Sequence, residues 1–274
     1  MFVTIINDCR DGNAMNRQAS RAASYFAAPV FPLGVTDFGH EGNGELEAAG
    51  NLIDTLDATG GTDGVVLVNV AVRHGKGKKW PNGTPFGYFN YKKTLVIATL
   101  DGYCLSLVKK FGLTDIIQAF DIPTVIDAMI KQGHHSEEFR RLIVDSQFRS
   151  YEFIPRAAKW LKDGIDVPTD AYPIANIPDA PKCIWWVDNF GNTVTTLLAD
   201  DINHKAGQKI KTKFGEIMCY ERLKDVPNDE PGLIIGSSGM ENRRFVSLVI
   251  QGKSAAKHFN IKTGDLIFDE TPEH

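Results

Sequence analysis

Hydrophobic positions in the first part of the chain fall into two alternating rhythms. Short apolar runs, FVTII (2–6), VFPLGV (30–35), VVLVNVAV (65–72) and LVIAT (95–99), are separated by stretches whose apolar residues recur at helical spacing. The spacing predicts helices from Asn16 to Ala27 and from Gly44 to Ala58, and further helices at LSLVKKF, TVIDAMIKQ and PRAAKWLKD. Strand runs alternating with helices point to a mainly parallel sheet with crossover helices. Further on the texture changes to CIWWVD, NTVTTLL, IKTKF, EIMCYERL, GLIIGS, FVSLVI and DLIF, with turn residues between and no long helix. That pattern predicts a small β-barrel or β-sandwich. Between the two lies KDGIDVPTDAYPIANIPDAPK (162–182), rich in proline, aspartate and glycine and without clear periodicity, which reads as a linker. The expected fold class is α/β: an N-terminal mainly parallel α/β sandwich domain over 1–170, and a smaller C-terminal all-β, barrel-like domain over 171–274.

Composition narrows the partners. The chain has 274 residues, 43% of them hydrophobic, which is enough for a well-filled core. The net charge is -4, with 30 basic and 34 acidic residues spread along the sequence, so no large positive field awaits nucleic acid. No apolar run approaches the roughly 20 residues that span a bilayer. The N-terminus MFVTIINDCRD has neither a basic n-region nor a long apolar h-region, and reads as the first strand of a cytoplasmic protein with no membrane partner. Cys9, Cys104, Cys183 and Cys219 lie far apart without CxxC spacing; they read as buried thiols outside any zinc site or disulfide scaffold. His134 and His135 adjoin, and neighbouring residues point apart on a regular element, so a surface loop is the reading there rather than a metal site.

Open α/β sheets bind ligands beyond the carboxyl ends of their strands. INDCRDGN (6–13) offers Asp8, Asp11 and Asn13 there, and NVAVRHGKGKKW (69–80) offers Asn69, Arg73, His74 and Lys76. ATLDG (98–102) follows LVI, and SQFRSYE (146–152) precedes FIPRAAKWL. Asp8 also suits a helix cap. HGKGKKW lacks the P-loop pattern and reads as a mobile basic loop. Arg149 and Glu152, three apart, suit an exposed ion pair. In the C-terminal part, Asp188, Asn189, Phe190, Gly191 and Asn192 lie between two apolar runs. A hairpin turn asks only for Asp-Gly or Asn-Gly, which leaves the aromatic ring of Phe190 to be explained.

The segment VDNFGNTVTT resembles the I-D-x-F-G-N-x-x-T-N segment of the S-adenosylmethionine (SAM) hydroxide adenosyltransferase family, which includes the fluorinases and chlorinases. GSSGM followed by VSLVIQGKSAAKHFNIKTGDLI resembles that family's ending, S-x-G, then L-E-I-A-V-N-x-G-N-A-A and a terminal G-D. Upstream, GNGELEAAGNLIDTLDATGGTDGVVLVNVAV is similar to its D-I-x-x-A-A helix and V-V-D-P-G-V-G strand. ATLDG stands where the family has A-P-D-N-G, and QFRSYEFIP where it has T-F-H-G-R-D-x-F-A-P or, in fluorinases, T-F-Y-S. These matches run in order over most of the chain. TDFG at 36–39 repeats the family's opening signature but follows the second strand instead of the first, and is taken as coincidence.

The resemblance implies a two-domain fold, SAM as small-molecule substrate with no further cofactor required, and a homotrimer whose sites lie between subunits. It implies that Asp8 holds the ribose hydroxyls and that Asn13 falls where a second carboxylate often lies. It places Phe148, Phe190 and Asn192 around the nucleoside, with Phe190 packing on the base, and gives Asp188 the methionine ammonium. Ser237 or Ser238 would meet the methionine carboxylate, and Gly252 would offer backbone groups to adenine. The implied reaction is attack of water on C5′ of SAM. The family's Asp, Arg and His become Asn69, Lys76 (or Arg73) and Arg149 here, and neither asparagine nor arginine serves as a base at neutral pH. General-base help is worth about 10²–10⁴-fold, so three readings stand. One is hydrolysis with a rearranged set that uses Glu152 or His74. Another is binding of SAM or adenosine without turnover. The last is another nucleophile such as halide, held at Ser150 beside Arg149.

Overall fold

The computed structural model describes residues 1–35, 43–71 and 84–269, and divides the chain into two units, Met1–Asp179 and Ala180–His274. The first unit runs β1 (Val3–Asn7), α1 (Gly12–Phe26), β2 (Val30–Gly34), α2 (Asn43–Thr59), β3 (Gly64–Asn69), β4 (Phe86–Tyr91) and β5 (Thr94–Thr99). It continues with α3 (Ser106–Phe111), β6 (Ile116–Ala119), α4 (Ile122–Lys131), α5 (Glu137–Val144), α6 (Arg149–Glu152), α7 (Ile154–Lys162) and β7 (Asp170–Pro173). The strands form one sheet in the order β2-β1-β3-β5-β4-β6-β7. β2, β1, β3 and β5 are parallel, whereas β4, β6 and β7 add an antiparallel wing.

β1, β3 and β5 are apolar at nearly every position because both their faces are covered, whereas β2 at the sheet edge leaves Phe31 exposed. Val3, Ile5, Val65, Leu67, Leu95 and Ile97 join Phe26, Ile126, Phe153 and Trp160 in one core. The alternate residues Ile6, Val66, Val68 and Val96 point to the other face and are buried too. There α2, with Ala49, Leu52 and Leu56 fully buried, packs on β1 and β3. α1 begins at Gly12, earlier than its apolar spacing suggests, because Asp11 caps it by accepting from the amides of Asn13 and Ala14. Asp8 is therefore not the cap. The stretch read as a linker contributes β7, which pairs with β6, and the first unit runs to Asp179, beyond the boundary expected at 170.

In the second unit β8 (Ile184–Val187), β9 (Thr193–Leu198), β10 (Lys209–Thr212), β11 (Gly215–Cys219), β12 (Pro231–Met240) and β13 (Arg243–Ile250) precede the short α8 (Ala255–Phe259). The sheet order is β10-β11-β12-β13-β9-β8, antiparallel except for β11 with β12. Ile184, Leu197, Ile217, Leu233, Val246 and Leu248 fill its interior. DLIF, expected as a strand, makes a single bridge from Leu266 to Cys183. The Ile267 amide donates to Lys182 O at 2.9 Å and its carbonyl accepts the Lys213 amide at 2.9 Å, so this segment links the two ends of the sheet and gives it a barrel-like form. An α/β sandwich unit followed by a smaller β unit is the architecture the hydrophobic pattern predicts.

Candidate active site

β2 lies on one side of β1 and β3 on the other, so the sheet's direction of winding reverses between β1 and β3. A crevice at such a switch point is where open α/β sheets take ligands. Register pairs Asn7 with Asn69 and Phe86 with Thr99, bringing the carboxyl ends of β1, β3 and β5 to one edge with the start of the antiparallel β4. A pocket of about 170 Å³ opens there, and Asp8, Asn69, Thr99, Phe148, Arg149 and Ser150 all line it.

Asp8 is 7% exposed and held in place. Its Oδ2 accepts the Ala71 amide at 3.1 Å, and its Oδ1 accepts the Asn69 side-chain amide at 3.4 Å and the Cys9 thiol at 3.5 Å. Burial lowers the pKa of the Arg149 guanidinium, whose carbon lies 5.8 Å from the centre of the Phe86 ring. An arginine starts so high that it stays cationic. Thr99 is buried at the end of β5, and its hydroxyl has no hydrogen-bond partner among the described residues.

The wall that presents Phe148, Arg149 and Ser150 is α6, a single turn without a side-chain cap. Isolated turns do not hold themselves, and neighbouring helices brace this one. Glu152 Oε2 accepts Arg21 of α1 at 2.7 Å and Arg156 of α7 at 2.8 Å. Arg21 also donates to the Tyr151 carbonyl at 2.9 Å, and Arg156 to the carbonyl of Glu152. The Tyr151 ring stacks on Phe148 at 5.4 Å and lies 3.4 Å from the Arg21 guanidinium carbon. Glu152 is thus not the exposed partner of Arg149 that the three-residue spacing suggests. Its carboxylate is 12% exposed, is committed to two arginines, and is not among the residues lining the pocket, which removes it as the base.

In the second unit the turn from β8 to β9 is built around Asp188. Its Oδ1 accepts the amides of Phe190 and Asn192 at 2.9 and 2.8 Å, and its Oδ2 accepts the Asn192 side chain at 2.9 Å. Gly191 has φ +85°, and a Cβ there would stand 1.9 Å from Ser254 Oγ, so the turn admits only glycine at that position. The consequence is an outward ring: Phe190 is 73% exposed. Phe190, Asn192, Leu223, Gly252, Lys253 and Ser254 line a second pocket of about 490 Å³.

The expected residues therefore fall into two sets and a remainder. Asp8, Asn69, Phe148, Arg149 and Ser150 converge in the first unit, and Phe190, Asn192 and Gly252 in the second. Asn13 is exposed on the first turn of α1, outside the pocket lining. Asp188 holds the turn without lining the pocket, and Ser237 and Ser238 sit where the β12–β13 register shifts, also outside it. Lys76, its alternate Arg73, His74 and the TDFG segment lie outside the described residues. Sequence reasoning missed Cys9, Thr99, Lys253 and Ser254 as pocket residues; the strand ends that carry Cys9 and Thr99 were the available signal. Cys104, Cys183 and Cys219 are buried as expected, but Cys9 is only half-buried. Among the described residues no His, Cys, Asp and Glu side chains group as a metal site, and no helix is long and apolar enough to cross a membrane.

Residues 182–268 match the family model of the SAM hydroxide adenosyltransferase C-terminal domain. No curated protein matches the sequence. Among solved structures, an uncharacterized conserved protein from Thermotoga maritima is 15% identical over 96% of this chain and 98% of its own, with a TM-score of 0.66. A conserved hypothetical protein from Thermus thermophilus is 16% identical over 96% and 97%, with a TM-score of 0.60. At these identities the likeness is one of fold, and it extends through both units. The domain match covers most of the second unit, including the Asp188–Asn192 turn, so residues 182–268 are similar to the C-terminal domain of the SAM hydroxide adenosyltransferases.

Proposed function

We propose that the protein binds SAM and cleaves it at C5′ with water, giving adenosine and methionine. The observation that carries this reading is the convergence of Asp8, Asn69, Phe148, Arg149 and Ser150 in one pocket at the sheet's switch point. A fixed carboxylate suits a ribose diol, which presents two donors, and such charge-assisted bonds are the stronger kind. In the second unit the outward ring of Phe190 offers a stacking face for a purine, with the Asn192 amide and the Gly252 backbone near its edge. In the proposal SAM is the sole small molecule required, and the two half-sites are completed between neighbouring copies of a homotrimer in the cytoplasm.

In the reaction, a lone pair on water forms the C5′–O bond as the C5′–S bond breaks. The sulfonium takes that electron pair and departs as the neutral thioether of methionine, and the added oxygen loses one proton. Holding the water in line with C5′ supplies much of the acceleration. Neither the Asn69 amide nor the Arg149 guanidinium takes up that proton, and among the described pocket residues Asp8 is the carboxylate. The same observation favours a second reading, in which SAM or adenosine is bound without turnover.

Incubating the purified protein with SAM and resolving the products by chromatography separates the two, with melting temperature recorded in parallel. Adenosine and methionine above the spontaneous rate, with SAM raising the melting temperature, is the expected result. Stabilisation without nucleoside product moves the assignment to the binding protein. Neither stabilisation nor product removes SAM as the ligand.

A further inference from the structure

Thr99 ends β5 at the edge of the first-unit pocket, 1% exposed, and its hydroxyl is unpaired among the described residues. Three other buried strand threonines bond to backbone carbonyls: Thr94 to Thr62 O at 2.6 Å, Thr193 to Leu248 O at 3.0 Å and Thr195 to Val246 O at 2.7 Å. An unsatisfied buried hydroxyl costs about 1–3 kcal/mol, so a threonine is a poor choice at this position unless something in the pocket meets it. Valine has the same shape and no polar atom. Ser150, 6% exposed, adds a second hydroxyl to the same lining. With each water occupying about 30 Å³, the pocket of about 170 Å³ has room for several.

We propose that the Thr99 hydroxyl holds the nucleophilic water. The inference rests on the reading of this pocket as the place where SAM is cleaved. A water that attacks with one lone pair must turn its two hydrogens toward acceptors. Thr99 Oγ1 accepts one, and the other faces bulk water. When the C5′–O bond forms and the C5′–S pair passes to sulfur, the proton leaves to solvent. Thr99 keeps its own proton throughout; it fixes the direction of attack and acts as neither acid nor base. Through its neutral hydroxyl the residue selects a small polar nucleophile without needing the family's missing base.

Thr99→Val and Thr99→Ser test this with two readouts. Without ligand, Thr99→Val should melt at or above the wild-type temperature, because it deletes an unpaired polar atom. With SAM, its kcat for adenosine formation should fall on the order of tenfold to a hundredfold with KM unchanged. Thr99→Ser should retain most of the rate. A lower melting temperature for ligand-free Thr99→Val overturns the inference by showing that the hydroxyl bonds within the protein. So does an unchanged kcat while the wild type is active, which leaves the SAM reading standing. A 5′-halogenated nucleoside formed with chloride or fluoride present overturns water as the occupant. A wild-type protein that SAM neither stabilises nor feeds as substrate overturns the functional reading and this inference together.

Discussion

At the pocket edge of β1, Asp8 and Cys9 share one short stretch of backbone, and their environments set them apart from similar side chains elsewhere. Asp8 is fixed by the Ala71 amide and the Asn69 side chain, while Cys9 is half-buried against it. Burial pushes the Cys104 thiol pKa well up, with the Glu45, Asp8 and Asp101 carboxylates adding to the shift, and burial also raises that of Cys219. The thiolate is the nucleophile that attacks an alkylating reagent, so buried thiols of raised pKa stay inert. Mild alkylation of the native protein at neutral pH, followed by peptide mapping, should therefore modify Cys9 ahead of Cys104, Cys183 and Cys219. Saturating SAM or adenosine should slow that modification, because Cys9 lines the pocket. Labelling of Cys104 first would contradict the burial, and a Cys9 rate indifferent to both ligands would contradict the pocket's assignment.

Among the elements, the single turn α6 has no side-chain cap and leans on its neighbours. Its last carbonyls and the Glu152 carboxylate are held by Arg21 and Arg156, whose side chains are only 17% and 8% exposed. Glu152→Ala would leave two largely buried guanidiniums without their carboxylate, and removing one partner of a buried ionic group costs about 3–5 kcal/mol. Denaturant unfolding should report a loss of that order, with a smaller one for Glu152→Gln, which keeps an acceptor. A loss within about 0.5 kcal/mol, the range of ordinary surface substitutions, would show that the clamp does not hold the wall.

This dependence also explains what the chain reveals by itself and what it conceals. β1, β3 and β5 are legible because two-sided burial forces runs such as VVLVN, and the hairpin around Asp188 is legible from its turn residues. β4 is obscured by Gly87 and Asn90 among its aromatic residues, and β6 and β7 are four-residue strands with few buried positions. Pocket membership was partly visible, because strand order decides which loops follow carboxyl ends at one edge. The partner of Glu152 was not: Arg21 is 131 positions away, and only packing of α1 against α6 and α7 selects it over Arg149. Asp188 illustrates the same limit, since its place in a resembling motif does not reveal that its oxygens are engaged by its own turn.

At the scale of the molecule, each unit has its own core and its own pocket, and pH acts on the first through a site remote in sequence from Asp8. His135 stacks on Phe139 at 4.3 Å and meets the Trp160 ring edge-on at 5.3 Å. Burial, then the charges of Arg156 and His134, lower its pKa below the ordinary value near about 6.5. The fold thus favours neutral His135, and below that pH the unfolded chain binds more protons. No stability is lost to this group above the ordinary pKa; the loss sets in as pH falls through it. Melting temperatures should drop on acidification through that window more steeply for the wild type than for His135→Phe, and parallel curves would contradict the linkage. The central claim concerns the pocket at the carboxyl ends of β1, β3 and β5: water attacks C5′ of SAM. Turnover in water enriched with heavy oxygen, with mass spectrometry of the nucleoside, tests it most directly. The account predicts adenosine carrying the heavy atom at its 5′ oxygen together with unlabelled methionine. Adenosine without the label, or no adenosine at all, would contradict it.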